Sequence, residues 1–212
     1  INMNIIIIKK RESMIRLNNI KIRENLNDIE VLKIAIEKNK IKQEEIKEWY
    51  IYKKSIDARK KDDIYYNYSI NIKLKDYKKE KKIGKIKEEK WPNIEVKRKS
   101  QYNPIIVGMG PAGLFAGLLL IENGIKPIII ERGKCVEERI KDVENFAKNR
   151  KFKTESNIQF GEGGAGTFSD GKLNTGNSTN IYSQKVLNEF VKFGAPKEIL
   201  YTAKPHIGTD NL

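Results

Sequence analysis

Residues 104–133 contain residue types and spacings that could bind a phosphate. The β-branched run Ile105–Val107 leads into residues 108–113, Gly-Met-Gly-Pro-Ala-Gly, which we call the fingerprint turn. In this pattern the first glycine makes a tight turn, the second lets a pyrophosphate approach the backbone, and the third lets a helix pack closely on a strand. The helix that follows offers free N–H groups at its N-terminus to an anion. The pattern indicates a dinucleotide-phosphate site.

The residues after the fingerprint turn supply the context that this motif requires. An apolar helix is predicted for residues 114–122, stopped by Asn123-Gly124, and a second apolar run, Ile128–Ile130, ends at Glu131. Glu131 lies 23 residues after Gly108, close to the spacing of about 20 at which an acid reaches a ribose hydroxyl. A G-x-G-x-x-G alone is weak evidence, whereas strand, helix and acid together strengthen it. The alternative is a glycine-rich turn that binds no ligand.

A second glycine cluster occupies residues 159–172, Gln-Phe-Gly-Glu-Gly-Gly-Ala-Gly-Thr-Phe-Ser-Asp-Gly-Lys. So many glycines disfavour a helix or a central strand on entropic grounds. The cluster predicts a loop that lies against a flat or phosphorylated ligand, with successive N–H groups available to an anion. It is not a P-loop, because Leu173 follows Gly171-Lys172 where that motif needs serine or threonine. Helices are predicted on either side, at about 136–149 and 181–193.

The N-terminal half predicts a separate α+β domain. Strand patterns cover residues 15–22, 49–52 and 64–74, and a helix capped by Asn27 follows the first strand. A charged helix or loop at 73–90 and a last strand at Ile94 and Val96 complete the order β-α-β-β-α-β, which is typical of a ferredoxin-like domain. We predict this domain at residues 14–99 and an incomplete Rossmann-type α/β domain at 100–212. Residues 1–13, before Met14, match no periodic pattern and are interpreted as a non-native or disordered extension.

Composition limits the class of protein. No apolar run reaches 18 residues, so a membrane-spanning helix is not expected. A single cysteine, Cys135, excludes an internal disulfide framework and fits a reducing cytosol, which predicts a cytoplasmic protein. We interpret Cys135 as structural, and His206, the only histidine, as a loop residue. We assign no metal ligands and no catalytic acid or base.

Charge is uneven along the chain. Residues 1–103 hold 28 Lys and Arg against 16 Asp and Glu, whereas residues 104–212 hold 14 against 12. This asymmetry can mark a half that binds nucleic acid, although mixed-sign runs favour a solvated lysine-rich surface. Tyr65, Tyr66 and Tyr68 could stack on bases, but cross-strand packing is favoured. Residues 54–61 are too polar for a core and form either a solvated hairpin connection or a contact with a second domain or substrate.

Together these segments resemble a family of bacterial FAD-dependent dehydrogenases, flavoproteins of the NAD(P)/FAD-dependent oxidoreductase type. The resemblance rests on residues 52–59, 107–113, 131–139, 157–173 and 204–210, of which 157–173 is the most specific. It implies FAD as the cofactor, with NADH or NADPH as a possible electron donor. It also implies an oxidoreductase whose small-molecule substrate is unknown.

The resemblance further implies a role for each site residue. The fingerprint turn would carry the pyrophosphate, Glu131 the adenosine ribose, and Arg132 and Gly133 the adenine end. Arg139 would be a further cofactor-side contact, and residues 161–167 would lie along the pyrophosphate and the flavin. The implied cofactor-binding residues are Gly108, Gly110, Pro111, Ala112, Gly113, Glu131, Arg132, Gly133, Arg139, Gly161, Gly163, Gly164, Ala165, Gly166 and Thr167.

Members of the family that the chain resembles continue for some hundreds of residues beyond the position that matches Leu212. The chain is therefore expected to be the N-terminal FAD-binding portion of such a protein. We expect it to bind FAD weakly or not at all when made alone. Two alternatives remain open. One is a nucleic-acid-associated flavoprotein that docks RNA through the basic N-terminal domain. The other is a nucleotide-binding module with no chemistry.

Overall fold

The computed structural model describes residues 14–83, 86, 91, 94, 96, 101–175 and 180–208. The chain divides into two compact units, Ile1–Glu89 with Leu200–Ala203, and Lys90–Ile199 with Lys204–Leu212. The domain boundaries drawn from the sequence, 14–99 and 100–212, stay a prediction. Within the described ranges, no helix has the length and apolar character needed to cross a bilayer.

The N-terminal unit is built on an antiparallel sheet. Strands β1 (Ile15–Ile22), β2 (Ile46–Asp57) and β3 (Tyr65–Leu74) pair in the order β1-β3-β2. Alternate apolar residues of the strands face helix α1 (Asp28–Lys38) and form one core. The core residues include Ile15, Leu17, Ile20, Ile22, Val31, Leu32, Ala35, Ile36, Ile51, Tyr68, Ile70, Ile72 and Leu74.

Helix α1 begins where the sequence predicts. The Asn27 side chain accepts hydrogen bonds from the N–H groups of Ile29 and Glu30, both at 3.1 Å. The Glu30 carboxylate accepts in return from the Asn27 N–H, at 3.1 Å. This reciprocal capping box satisfies N–H groups that the first helical turn cannot.

Strand β2 extends further than expected. Residues 54–57, interpreted from sequence as part of a polar connection, continue β2 as far as the pair Asp57–Tyr65. The strand prediction was wrong there because the pairing is made by the backbone and needs no buried side chain. Lys54 also exchanges backbone hydrogen bonds with Tyr201 and Ala203, at 2.7 and 2.8 Å, so residues 200–203 join this unit beside β2.

Helix α2 (Tyr77–Ile83) follows β3 in this unit. Ile94 and Val96, predicted to form a last edge strand, are described only as isolated non-strand residues, and most of 84–100 lies outside the described residues. The first three strands have the order and directions of a split β-α-β unit. The complete ferredoxin-like domain therefore stays a prediction.

The second unit contains a parallel β-α-β arrangement. Strand β4 (Ile105–Val107) pairs in parallel with β5 (Ile128–Ile130), and α3 (Pro111–Glu122) connects them. Helix α3 begins three residues earlier than predicted, because proline suits the first position of a helix, where its missing N–H costs nothing. The unit continues with α4 (Val136–Asn149) and α5 (Ile181–Lys192).

One face of the β4–β5 pair packs on α3. A Cβ added to Gly117 of α3 would lie 2.9 Å from Ile129 Cδ1 and 3.7 Å from Ile106 Cδ1, so the glycine lets helix and strands approach closely. The other face holds Ile105, Val107, Ile128 and Ile130, which are 47–85% exposed. Parallel sheets are ordinarily covered on both faces, whereas α3 covers only one here.

Candidate dinucleotide-binding site

The fingerprint turn has the backbone geometry that its glycines predict. Gly108 adopts a φ of +99°, in the region that favours glycine, and its N–H donates to the Ile130 carbonyl at 2.7 Å. A Cβ on Gly113 would lie 2.0 Å from the Gly108 carbonyl oxygen. Gly113 is therefore required for the close packing of α3 on the turn.

Gly110, unlike Gly108 and Gly113, is not required by the backbone conformation or the packing of the turn. It is the N-cap of α3, with φ −77° and ψ −177°, which any residue can adopt. A Cβ placed there would meet no atom within 4 Å. Open space over the N-terminus of α3 fits a phosphate that approaches the backbone closely and accepts hydrogen bonds from helix N–H groups. Pro111 and Ala112 form the exposed first turn beside this space.

Glu131 joins the end of β5 to the fingerprint turn. Its Oε2 accepts from the Met109 N–H at 2.6 Å, and its Oε1 accepts from the Gly133 N–H at 2.7 Å. The hydrogen bonds from Gly133 and Met109 lower the pKa of the Glu131 carboxyl below its ordinary value. The acid is thus ionised and held in place at the position where the motif puts the ribose contact.

The second glycine loop, residues 157–168, folds against the fingerprint turn. It ends in a 3₁₀ turn, Gly164–Phe168. The Gly163 N–H donates to the Met109 carbonyl at 2.9 Å, and a Cβ on Gly164 would lie 3.3 Å from both Gly110 Cα and Pro111 Cδ. The structure therefore brings together two glycine-rich segments that are about 50 residues apart in the sequence.

The short 3₁₀ turn was not expected in so glycine-rich a segment. Gly163 and Gly164 enter it with φ of +80° and +65°, and the Thr167 hydroxyl closes it by donating to the Glu162 carbonyl at 3.3 Å. Ala165 is exposed, and a Cβ on Gly166 would meet nothing within 4 Å. The outer side of the turn is therefore open.

Arg139 binds the second glycine loop through the loop's backbone carbonyls. Its side chain, on α4, has no exposed surface. Nη2 donates to the carbonyls of Asn157, Ile158 and Gly164 at 2.9, 3.1 and 3.0 Å, and Nη1 donates to the Glu162 carbonyl. Burial lowers the pKa of the guanidinium, and the charges of Glu131 and Glu162 oppose that shift.

Arg132 and Gly133 differ in their surroundings. The Arg132 side chain is largely exposed and forms an ion pair with Glu155 at 2.6 Å. A Cβ on Gly133 would lie 2.3 Å from Gly161 Cα. Gly133 is therefore needed for the packing of the second glycine loop, and the roles of both residues toward a cofactor stay predictions.

Two residues that sequence reasoning missed organise the second glycine loop. The Asn157 side chain accepts from the N–H groups of Gln159 and Phe160, at 2.8 and 3.2 Å, and its amide donates to the Lys153 carbonyl at 2.8 Å. The Glu162 carboxylate accepts from the Val136 N–H at the start of α4, at 2.7 Å. The sequence signal for Glu162 was its position as an acidic residue within a glycine-rich run.

Two further segments singled out by sequence lie side by side. Backbone hydrogen bonds of 2.9 Å join Leu173 N–H to the Pro205 carbonyl and Ile207 N–H to the Gly171 carbonyl. His206 itself is exposed and lies opposite Lys172 in this pairing, outside the named strands, in agreement with a loop residue. Cys135 is exposed at the N-cap of α4, so the interpretation of its side chain as structural has no burial to support it.

Comparison with known proteins gives a class for this site. A family model described as FAD binding domain matches residues 101–140, the segment from β4 through the first turns of α4. A second model, described as Domain of unknown function (DUF8436), matches residues 14–73. The β-α-β arrangement and the FAD-binding match together indicate a flavoprotein.

A relative covers nearly the whole chain. It is an uncharacterized protein of Clostridium beijerinckii (strain ATCC 51743 / NCIMB 8052), 43% identical over an alignment of 210 positions; the match covers 93% of this chain and 38% of that protein. The chain thus spans well under half the length of this relative.

Proposed function

We propose that the chain is the FAD-binding portion of an FAD-dependent oxidoreductase. The observation that carries the proposal is the open space over Gly110 at the N-terminus of α3, next to the oriented carboxylate of Glu131. A glycine that the fold itself does not require, placed where a helix offers free N–H groups, fits a ligand that must approach the backbone. The FAD-binding family model over residues 101–140 supports FAD as that ligand.

Three groups of this chain would hold the cofactor. The fingerprint turn would receive the pyrophosphate, the Glu131 carboxylate would accept from a ribose hydroxyl, and residues 163–167 would line the phosphate and flavin side. Arg132 and Gly133 would lie at the adenine end. Bound FAD would supply hydride transfer, with NADH or NADPH as the proposed donor, while the protein supplies orientation and a fixed electrostatic environment.

Equilibrium dialysis of the chain against FAD tests the binding step. We expect weak but saturable binding that ADP-ribose, which shares the adenosine and pyrophosphate groups, displaces and that FMN does not. Displacement by FMN alone would place recognition at the flavin end and would contradict the assigned roles. Loss of flavin absorbance on adding NADH or NADPH to the loaded protein would separate an oxidoreductase from a binding module without chemistry.

We also propose the domain organisation that the sequence suggests, a ferredoxin-like domain at 14–99 and a Rossmann-type domain at 100–212, in a cytoplasmic protein. The order β1-β3-β2 and its antiparallel directions support the first, and the parallel pair β4–β5 supports the second. Amide exchange across residues 84–100 would test the missing strand, because a fourth strand beside β1 would protect Ile94 and Val96.

The alternative function, RNA docking by the N-terminal domain, is now supported only by the basic charge of that domain. Tyr68 is 1% exposed and lies in the core, and Tyr66 packs against that core. The Tyr65 hydroxyl donates to Asp57 at 2.9 Å, and the Lys21 ammonium lies 4.4 Å from the centre of its ring. These contacts agree with cross-strand packing. RNA binding that weakens steeply with salt would support the alternative.

A further inference from the structure

Arg139 is the largest side chain in the described part of the chain that is fully enclosed. Its guanidinium lies 4.8 Å from the centre of the Phe168 ring and donates to four backbone carbonyls of the second glycine loop. Arginine presents five N–H donors in a rigid planar fork. One enclosed side chain can therefore fix the carbonyls of several peptide groups at once.

Those carbonyls determine where the N–H groups of the loop point. In a planar trans peptide the C=O of one residue and the N–H of the next point in opposite directions. The Glu162 carbonyl accepts from Arg139 Nη1, and the Gly163 N–H on the opposite side donates to the Met109 carbonyl at 2.9 Å. This peptide group therefore lies between the guanidinium and the fingerprint turn.

The peptide group between Gly164 and Ala165 has the same orientation, with its carbonyl toward Arg139. The Gly164 carbonyl accepts from Arg139 Nη2 at 3.0 Å, so the Ala165 N–H of that peptide points away from the guanidinium. A Cβ on Gly164 would lie 3.3 Å from Gly110 Cα. The loop thus has a carbonyl side toward Arg139, and its opposite side carries N–H groups beside the N-cap of α3.

The stem of Arg139 adds a packing constraint. A Cβ on Gly161, whose φ is +120°, would lie 2.3 Å from Arg139 Cδ and 2.7 Å from its Nε. Because Gly161 also lies against Gly133, the loop is held between α4 and the segment that follows Glu131. Glycine at 161 and arginine at 139 are therefore matched to each other.

We infer that Arg139 is a positioning residue: by binding the carbonyls of the second glycine loop it holds the loop against the fingerprint turn, with the Ala165 N–H directed to the side where the pyrophosphate of the dinucleotide would lie. This inference rests on the proposed function. It differs from a direct cofactor contact, because the guanidinium is enclosed and its donors are directed to the loop backbone. Arg139 acts on the ligand through the loop.

The test uses Arg139→Lys and Arg139→Met, with Arg150→Lys, an exposed residue just after α4, as the control. Amide hydrogen exchange of Gly163 is measured first, without ligand. We expect exchange about tenfold faster or more in both Arg139 variants and unchanged in the control, because lysine keeps the charge but lacks the planar fork. If the role of Arg139 were purely electrostatic, Arg139→Lys would keep the wild-type protection of the Gly163 amide, and that result would overturn the inference. Wild-type protection in both variants would overturn it as well.

Affinity for FAD and for adenosine is then compared in the same variants. Adenosine keeps the ribose that Glu131 would contact and lacks the pyrophosphate. We expect FAD affinity to fall about tenfold, equivalent to ~1.4 kcal/mol, while adenosine affinity changes by less than about twofold. An equal loss for both ligands would show that Arg139 does not act through the phosphate side and would overturn the inference.

Two features keep this test decisive. Amide protection of the β4–β5 ladder shows whether a variant keeps the second unit folded, and Gly161→Ala perturbs the same contact from the loop side if Arg139→Met does not fold. If wild-type protein bound no FAD, the proposed function would fail. The exchange of Gly163 would still decide whether Arg139 orients the loop.

Discussion

The Glu131 carboxylate accepts a hydrogen bond from the Met109 N–H, with 2.6 Å between Oε2 and the nitrogen. The contact ties the residue after β5 to the middle of the turn after β4. The second oxygen accepts from Gly133, so both carboxylate oxygens are fixed by backbone donors. The acid that the sequence spacing predicts is therefore part of the turn's own structure before any ligand is considered.

Replacing Glu131 with glutamine should reduce stability in a pH-dependent way. The pKa of the Glu131 carboxyl is lowered by its two backbone hydrogen bonds, so the ionised acid stabilises the folded state fully above its ordinary pKa of 4.5 and progressively less as pH falls below that value. We expect the difference in unfolding free energy between wild type and Glu131→Gln to be largest near neutral pH and to shrink below about pH 4.5. Urea unfolding at a series of pH values measures it, and a difference that grows on acidification would contradict the assignment.

The glycines of the fingerprint turn should separate stability from binding. Gly113→Ala places a Cβ 2.0 Å from the Gly108 carbonyl oxygen, and we expect a loss of roughly 1–3 kcal/mol from overpacking. Gly110→Ala meets no atom within 4 Å at an ordinary φ, and we expect a change in unfolding free energy within about 0.5 kcal/mol. Denaturant unfolding of the two variants side by side checks this contrast. Equal destabilisation would show that the turn is packed differently.

The core of the N-terminal unit offers a matched pair of isoleucines. Ile70, on the central strand β3, has no exposed surface, whereas Ile56 near the end of β2 is 65% exposed. We expect Ile70→Ala to cost about 2–5 kcal/mol through lost burial and a residual cavity, and Ile56→Ala to change stability by less than about 0.5 kcal/mol. The midpoint of urea unfolding reports both. Similar costs at the two sites would contradict the assignment of the sheet faces.

Tyr68 carries a hydroxyl that the core does not need. Its oxygen is buried and has no hydrogen-bond partner among the described residues, and burial raises the pKa of the phenol. Removing an unpaired buried hydroxyl is neutral or stabilising. We expect Tyr68→Phe to leave the unfolding free energy unchanged or to raise it by up to about 1 kcal/mol. A thermal unfolding scan that shows clear destabilisation would mean that the hydroxyl has a hydrogen-bond partner in solution.

The local pattern of the sequence predicted the elements that form the site. Strands β4 and β5 lie where their β-branched runs are, and the helix at about 136–149 matches α4, because side-chain periodicity and turn residues act within a few positions. The capping box at Asn27 was predictable for the same reason. The start of α3 was placed three residues late, since Pro111 was read as part of the turn.

The contacts between distant segments could not be predicted in this way. Sequence reasoning gave Arg139 a cofactor-side position, whereas its donors reach the carbonyls of residues 157–164, 18–25 positions away. Hydrogen bonds to backbone carbonyls leave no signature in residue type, because every residue carries one. The continuation of β2 through residues 54–57 was not predicted for a related reason, since this mostly polar, half-buried stretch shows no hydrophobic pattern.

The measurement that tests the central claim most directly is the FAD dissociation constant of wild type and Gly110→Ala by equilibrium dialysis. The added methyl group would occupy the space over the N-terminus of α3 without touching the protein. We predict weak but saturable one-to-one binding by wild type and an affinity at least about tenfold lower in the variant, at unchanged stability. Equal FAD binding by the two proteins, or no saturable binding by wild type, would contradict the assignment of a pyrophosphate to this turn.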